Sequence, residues 1–293
     1  MKTKHIFCAL MSATLMFAFG SCSEEHELHS PSLALGIEWP AGIDDDEEGK
    51  GVDVWIFNSE GTMQEHNEYA DAAGASSGLT LLPNGKYTII VTSGLGNAFS
   101  TIGTGLNDLM IKMTDPSSSP EQVYYGETEV SMNGKSISQE MIDMQPMLAT
   151  LTINVTGVPV GAVLNTEVHC VAEGFYPGRL AADGKTHGVP SSDSTIVNMP
   201  AATAGADSLI TSGPIMLMPT SIDYETMRFH FTLTLANGQK TEIDADAPRM
   251  DAGGTYVINM TYSQLMPYIH FHYVTLDEWT EGEVISGGEG EAL

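Results

Sequence analysis

The stretch MLATLTINVTGVP, residues 147–159, decides the fold class. Met147, Ala149, Leu151, Ile153 and Val155 fall on one side of an extended chain, while Thr150, Thr152 and Asn154 fall on the other, because successive strand side chains alternate between faces. The same alternation runs outward in both directions. Towards the C-terminus, Val168, Cys170 and Ala172 continue it, which predicts a core position for Cys170, where a free thiol behaves as a small apolar group. A Gly-, Ser- and Asp-rich stretch follows to Ser208, and then residues 209–218, RFHFTLTL (228–235), TEID (241–244), TYVINMTY (255–262) and YIHFHYVTL (268–276) read as strands. Towards the N-terminus, LLPNGKYTIIVTSG (81–94) places Tyr87, Ile89 and Val91 on an inward face after a Pro83-Asn84-Gly85 turn, a hairpin signal. Residues 122–132 form a further strand, Val52, Val54 and Ile56 share a face of another, and Leu33, Leu35, Ile37 and Trp39 share a face of the first. A short helix is predicted over 106–113, before the loop DPSSSP at 115–120. Strands spaced by roughly 10 to 15 residues with turns between them are an all-β sandwich pattern. It is repeated twice, with expected domains at 32–145 and 146–293.

The chain opens differently. Lys2 and Lys4 precede an apolar run from Ile6 to Phe19, shorter than the roughly 20 residues of a spanning helix and proportioned like a secretory signal peptide. Gly20 and Ser21 supply small residues before Cys22, and no acid occurs before Glu24. Residues 1–21 are therefore expected to be removed, leaving Cys22 at the head of a tether, 22–31. Cys22 as half of a disulfide would have only Cys170 as partner once Cys8 is lost with the signal. The alternative is acylation: small residues followed by Cys resemble the lipobox of bacterial lipoproteins, with Phe19 where that pattern usually has Leu. A multiply acylated (palmitate-type) cysteine would hold the protein to a membrane unaided, since two chains suffice for stable anchoring. Ser23, Glu24 and Glu25 resemble the acidic signal that sends Bacteroidetes lipoproteins to the outer face of the outer membrane.

Losing residues 1–21 removes two lysines and no acid, so the formal charge moves from −27 to −29. Such a field repels phosphate backbones and excludes nucleic acid as a partner. The acidic run Asp44 to Glu48 lacks the spacing of a calcium-binding hand and reads as a solvated loop. His270 and His272 lie two apart on a strand and share its outward face, with His230, Asp277 or Glu278 as further ligands to a metal; solvent-facing polar positions account for the pair. His26 and His29 belong to the tether. Trp39, Trp55 and Trp279 would suit sugar stacking if exposed, but Trp39 and Trp55 have the apolar neighbours of core or edge positions. No strand-to-helix nucleophile elbow, phosphate-cradling glycine loop or zinc-type cysteine pairing is read from the chain. The expectation is a protein without cofactor, metal or catalytic residues.

In order along the chain, VDVWIFNSEGTM (52–63), LLPNGKYTIIVTSG (81–94), YYGETEV (124–130), MLATLTINVTGVP (147–159), GGTYVINMTY (253–262) and VTLDEWTEGE (274–283) resemble the fimbrillin superfamily of Bacteroidales. The resemblance implies two tandem transthyretin-like β-sandwich domains, other pilus subunits as partners, and assembly by β-strand exchange. A sandwich that lacks a strand exposes unpaired backbone groups, and an extended segment with alternating apolar side chains can fill the gap. Leu33, Leu35, Ile37 and Trp39 mark the candidate exchange strand. Stalk subunits of the superfamily can be matured by cleavage after an N-terminal arginine, whereas here no arginine precedes Arg179, and Lys50 is the only basic residue between Cys22 and Lys86. The tail TEGEVISGGEGEAL, with four apolar residues among its glycines and glutamates, would be a poor donor strand. An outer-membrane-anchored pilus anchor or accessory subunit is expected, supporting adhesion; the rival is a surface glycan-binding lipoprotein.

Overall fold

The computed structural model describes residues 31–43, 50–134, 137–180 and 187–266. The first strand, β1 (Ser32–Glu38), is the middle of a three-stranded sheet, antiparallel to β4 (Thr80–Leu81) on one side and parallel to β9 (Ile137–Asp143) on the other. Facing it is a five-stranded antiparallel sheet in the order β10 (Gln145–Pro146), β8 (Tyr124–Met132), β5 (Gly85–Ser93), β2 (Val52–Asn58), β3 (Met63–Tyr69). Period-two alternation on β2 sends Val52, Val54 and Ile56 towards β1, where they join Leu33, Leu35, Ile89 and Val91 in one core. Trp55 and Phe57 point to the opposite face and enter a second core.

The remaining strands repeat this plan. A three-stranded sheet has β11 (Ala149–Thr156) between antiparallel β17 (Leu209–Leu217) and parallel β20 (Thr255–Thr261). Opposite lies a sheet ordered β15 (Ser194–Asn198), β12 (Val163–Ala172), β18 (Thr226–Thr234), β19 (Lys240–Pro248), with β16 (Ala202–Thr203) also on β12. In each half, the first strand runs parallel to a strand that comes last or nearly last, and the same connections produce the same neighbours. The alternation in MLATLTINVTGVP is realised as expected, with Ala149, Leu151, Ile153 and Val155 fully buried.

A further sheet joins the two sandwiches. β6 (Phe99–Ile102) and β7 (Met110–Met113) are inserted between β5 and β8; β13 (Gly174–Leu180) and β14 (His187–Pro190) are inserted between β12 and β15. They combine in the order β14-β13-β7-β6, with Gly174 opposite Lys112 and Phe175 opposite Ile111. Gly174 is required by close approach, since a Cβ there would lie 2.8 Å from the carbonyl oxygen of Ile111. One continuous core therefore runs from Trp55 and Ile90, through Leu109, Ile111 and Phe175, to Leu151 and Phe229.

Three local expectations change. Residues 106–113 are a turn followed by β7 rather than a helix, because pairing with β6 and β13 on both edges outweighs a short helical pattern. The helix is instead α1 (Ala72–Ser77), whose N-cap Asp71 accepts a 2.7 Å hydrogen bond from the Gly74 N–H. The Pro83-Asn84-Gly85 turn does not close a hairpin; it carries the chain between sheets, since β4 pairs with β1 while β5 pairs with β2 and β8. Cys170 is half-buried with φ 67° at a bulge between Val168 and Val171, which passes the inward positions to Val171 and Ala172.

Candidate functional site

The predicted exchange strand is seated in its own sheet. All seven residues of β1 pair in parallel with β9, from Ser32 opposite Ile137 to Glu38 opposite Asp143. The Leu82 N–H donates to the Pro31 carbonyl at 3.1 Å and the Met144 N–H to the Glu38 carbonyl at 2.8 Å, closing both ends. Leu33 and Leu35 are buried, while Ile37 and Trp39 pack partly buried at the rim. Trp39 meets Tyr124 edge-on, with ring centroids 5.4 Å apart. The structure thus brings all four predicted residues onto one surface, over a floor that includes Val52, Val54 and Ile89. Two fully buried and two partly buried apolar side chains represent, at roughly 1.5–3 kcal/mol for each full burial, on the order of 5–8 kcal/mol that departure of β1 would forfeit unless another segment replaced it.

A second constellation lies on the opposite face of the five-stranded sheet. Pairing of β2 with β3 sets Asp53 opposite Glu68 and Trp55 opposite His66, so all four side chains share a face. The His66 ring stacks on Trp55 at 4.7 Å with planes 8° apart, and its Nε2 lies 3.0 Å from Asp53 Oδ1. Ligand-type atoms of Asp53, His66 and Glu68 all lie within 4.8 Å of one another. They border an open cleft of about 590 Å³ whose far side is formed by the loop from Gly94 to Asn97 and by Phe99 to Thr101. Burial raises the pKa of the Asp53 carboxyl; its hydrogen bond with His66 opposes the rise and the charge of Glu68 adds to it. Sequence reading missed this group because it comes from two strands whose register is not visible in either. The signal was alternation in residues 63–69, which leaves Gln64, His66 and Glu68 on one face.

Across the same face, Glu127 is aligned with Ile90 and Trp55 in the ladder. Its carboxyl is pushed up to about 7, first by burial and then by the charge of Glu129. His230 lies between Glu167 and Asp244 in register; its ring bonds Asp244 at 2.8 Å, which raises its pKa. Burial likewise raises the Cys170 thiol, as suits an inert position. The letters G-x-S-x-G do occur, at residues 74–78, but Ser76 is an exposed residue inside α1 rather than the apex of a strand-to-helix turn. Trp55 is buried, 1% exposed, so it offers no platform for a sugar. Cys22, the signal and tether, the run Asp44 to Glu48, His26, His29, His270, His272, Trp279 and the tail lie outside the described residues.

Two fused sandwiches, each with its first strand held in a parallel pair, define the class of the fold, an all-β tandem sandwich, and the sequence comparison narrows it. The chain belongs to the family described as fimbrillin-A associated anchor proteins Mfa1 and Mfa2, whose model matches residues 33–283. Its fold is similar to that of the fimbrial anchor protein Mfa2 from Porphyromonas gingivalis, at 11% identity, covering 79% of this chain and 90% of that one with a TM-score of 0.54. A candidate adhesin from Bacteroides ovatus matches at 12% identity, 83% and 91% coverage and a TM-score of 0.54. A candidate polysaccharide-binding protein from Bacteroides thetaiotaomicron matches at 14% identity, 73% and 79% coverage and a TM-score of 0.50. No curated protein matches by sequence. Membership makes this a fimbrial and adhesion-related structural protein rather than an enzyme.

Proposed function

We propose that this protein is a cell-surface lipoprotein acting as a pilus anchor or accessory subunit that supports adhesion, with Cys22 acylated after removal of residues 1–21 and two sandwiches, 32–145 and 146–293, carried on the tether. The observation that carries this reading is the clamped first strand in a chain of the anchor family. Stalk subunits of the superfamily that the chain resembles can be matured by a protease that cuts after an N-terminal arginine and so opens an acceptor groove. Here β1 is paired on both edges, and the sequence before it holds no arginine for the protease to cut. Such a subunit would join its neighbours by β-strand exchange while keeping its own N-terminal groove filled, which suits the end of a fibre better than its middle. Deleting the gene tests the reading: fimbriae should appear in the culture medium or change in length. Unchanged, cell-attached fimbriae would count against it.

Glycan binding at the surface is the second reading, supported by the likeness to the candidate polysaccharide-binding protein and by the half-buried Trp39 at a sheet rim. Affinity electrophoresis through a panel of polysaccharides, with Trp279→Ala as a comparison, separates it from the first. Migration unretarded by every glycan would remove it.

A further inference from the structure

We infer that Asp53, His66 and Glu68 form a site for a divalent transition-metal ion of the zinc type, tying the edge strand β3 to β2. The inference is independent of the anchor reading. It begins with geometry: one imidazole nitrogen and two carboxylates, from adjacent strands in fixed register, already have their ligand atoms within 4.8 Å of one another. Ligands bound to one zinc ion at about 2.0–2.2 Å sit roughly 3–3.5 Å apart in a tetrahedral arrangement. His66 and Asp53 stand at 3.0 Å. Glu68 is exposed, so rotation of its side chain can close the remaining distance.

The surroundings favour such an ion. Stacking on the buried Trp55 fixes the plane of the His66 ring, which lowers the ordering cost of ligation. Asp53 and Glu68 face each other as two like charges across a strand pair, an unfavourable arrangement that a dication would reverse. The donor set selects the metal class: calcium and magnesium take oxygen ligands, whereas an imidazole with carboxylates suits zinc and its neighbours. Three protein ligands leave a coordination position towards the cleft for water or a donor group from outside. Because β3 is the terminal strand of its sheet, an ion there would pin a strand edge that is otherwise held on one side.

Isothermal titration of the mature chain with zinc chloride tests this. Cys22→Ser and Gln in place of His26, His29, His270 and His272 in the parent protein remove these other candidate ligands from the titration. One ion should bind per chain. His66→Gln and Glu68→Gln should each weaken it by at least tenfold while circular dichroism stays unchanged, and His230→Gln should leave the affinity as it was. A flat trace for the parent, or equal affinities in the parent, His66→Gln and Glu68→Gln, would overturn the assignment.

Discussion

Among individual residues, Glu127 makes the sharpest claim. Its carboxyl is raised from an ordinary 4.5 to about 7, chiefly by burial, so the charged form is disfavoured in the folded state. The folded pKa lies above the unfolded one; the contribution of Glu127 to stability is thus fully present below about 4.5 and is lost as pH rises through about 7. Glu127→Gln stays neutral throughout. Urea unfolding should show the variant equal to the parent near pH 4.5 and more stable at pH 8, by on the order of 2 kcal/mol after discounting for the solvent that reaches this side chain. Equal stabilities at both pH values would show that the carboxyl is not strained by its surroundings. Nothing in the sequence marks Glu127: it is one acid among 38, and only the ladder that aligns it with Ile90 and Trp55 sets it apart.

For the elements, the parallel pairing of first and late strands is the organising feature. Ala34 is opposite Gln139 in that ladder, and neighbouring strands bring such residues within reach of a disulfide. Ala34→Cys with Gln139→Cys should cross-link under oxidising conditions, visible as a mobility shift without reductant, and fimbriae should remain attached to cells that carry the cross-linked protein. Loss of attachment upon cross-linking would mean that β1 must leave its groove. The second junction is β7 with β13. Gly174→Val places a side chain against the Ile111 carbonyl and should cost about 1–3 kcal/mol in thermal or urea unfolding. Alternation made most long strands legible, including β2, β5, β8, β11 and β18, because each has one face on a core. It did not reveal partners: β9 beside β1, or β6–β7 beside β13–β14, are fixed by contacts far apart in sequence. The four strands β13 to β16 lay hidden in a stretch whose glycines, serines and aspartates read as loop. The Asp53, His66 and Glu68 group was illegible for the same reason, since register alone brings it together.

As a whole molecule, the protein is two sandwiches of the same connectivity, locked by a sheet to which each contributes two strands. One core passes through that junction, so force applied to one sandwich is transmitted through backbone pairing and packed side chains rather than through a flexible linker. That construction suits a protein that holds a filament, and the expected formal charge of −29 keeps it from collapsing onto like-charged neighbours. The fold class was readable from strand patterning, whereas the proposed role rests on the first residues of the chain, where chemistry rather than packing would fix the protein to the membrane. The decisive measurement is therefore the fraction of fimbriae retained on cells that express Cys22→Ala in place of the parent protein. The account predicts that fimbriae are released into the medium; retention at the parental level would contradict it.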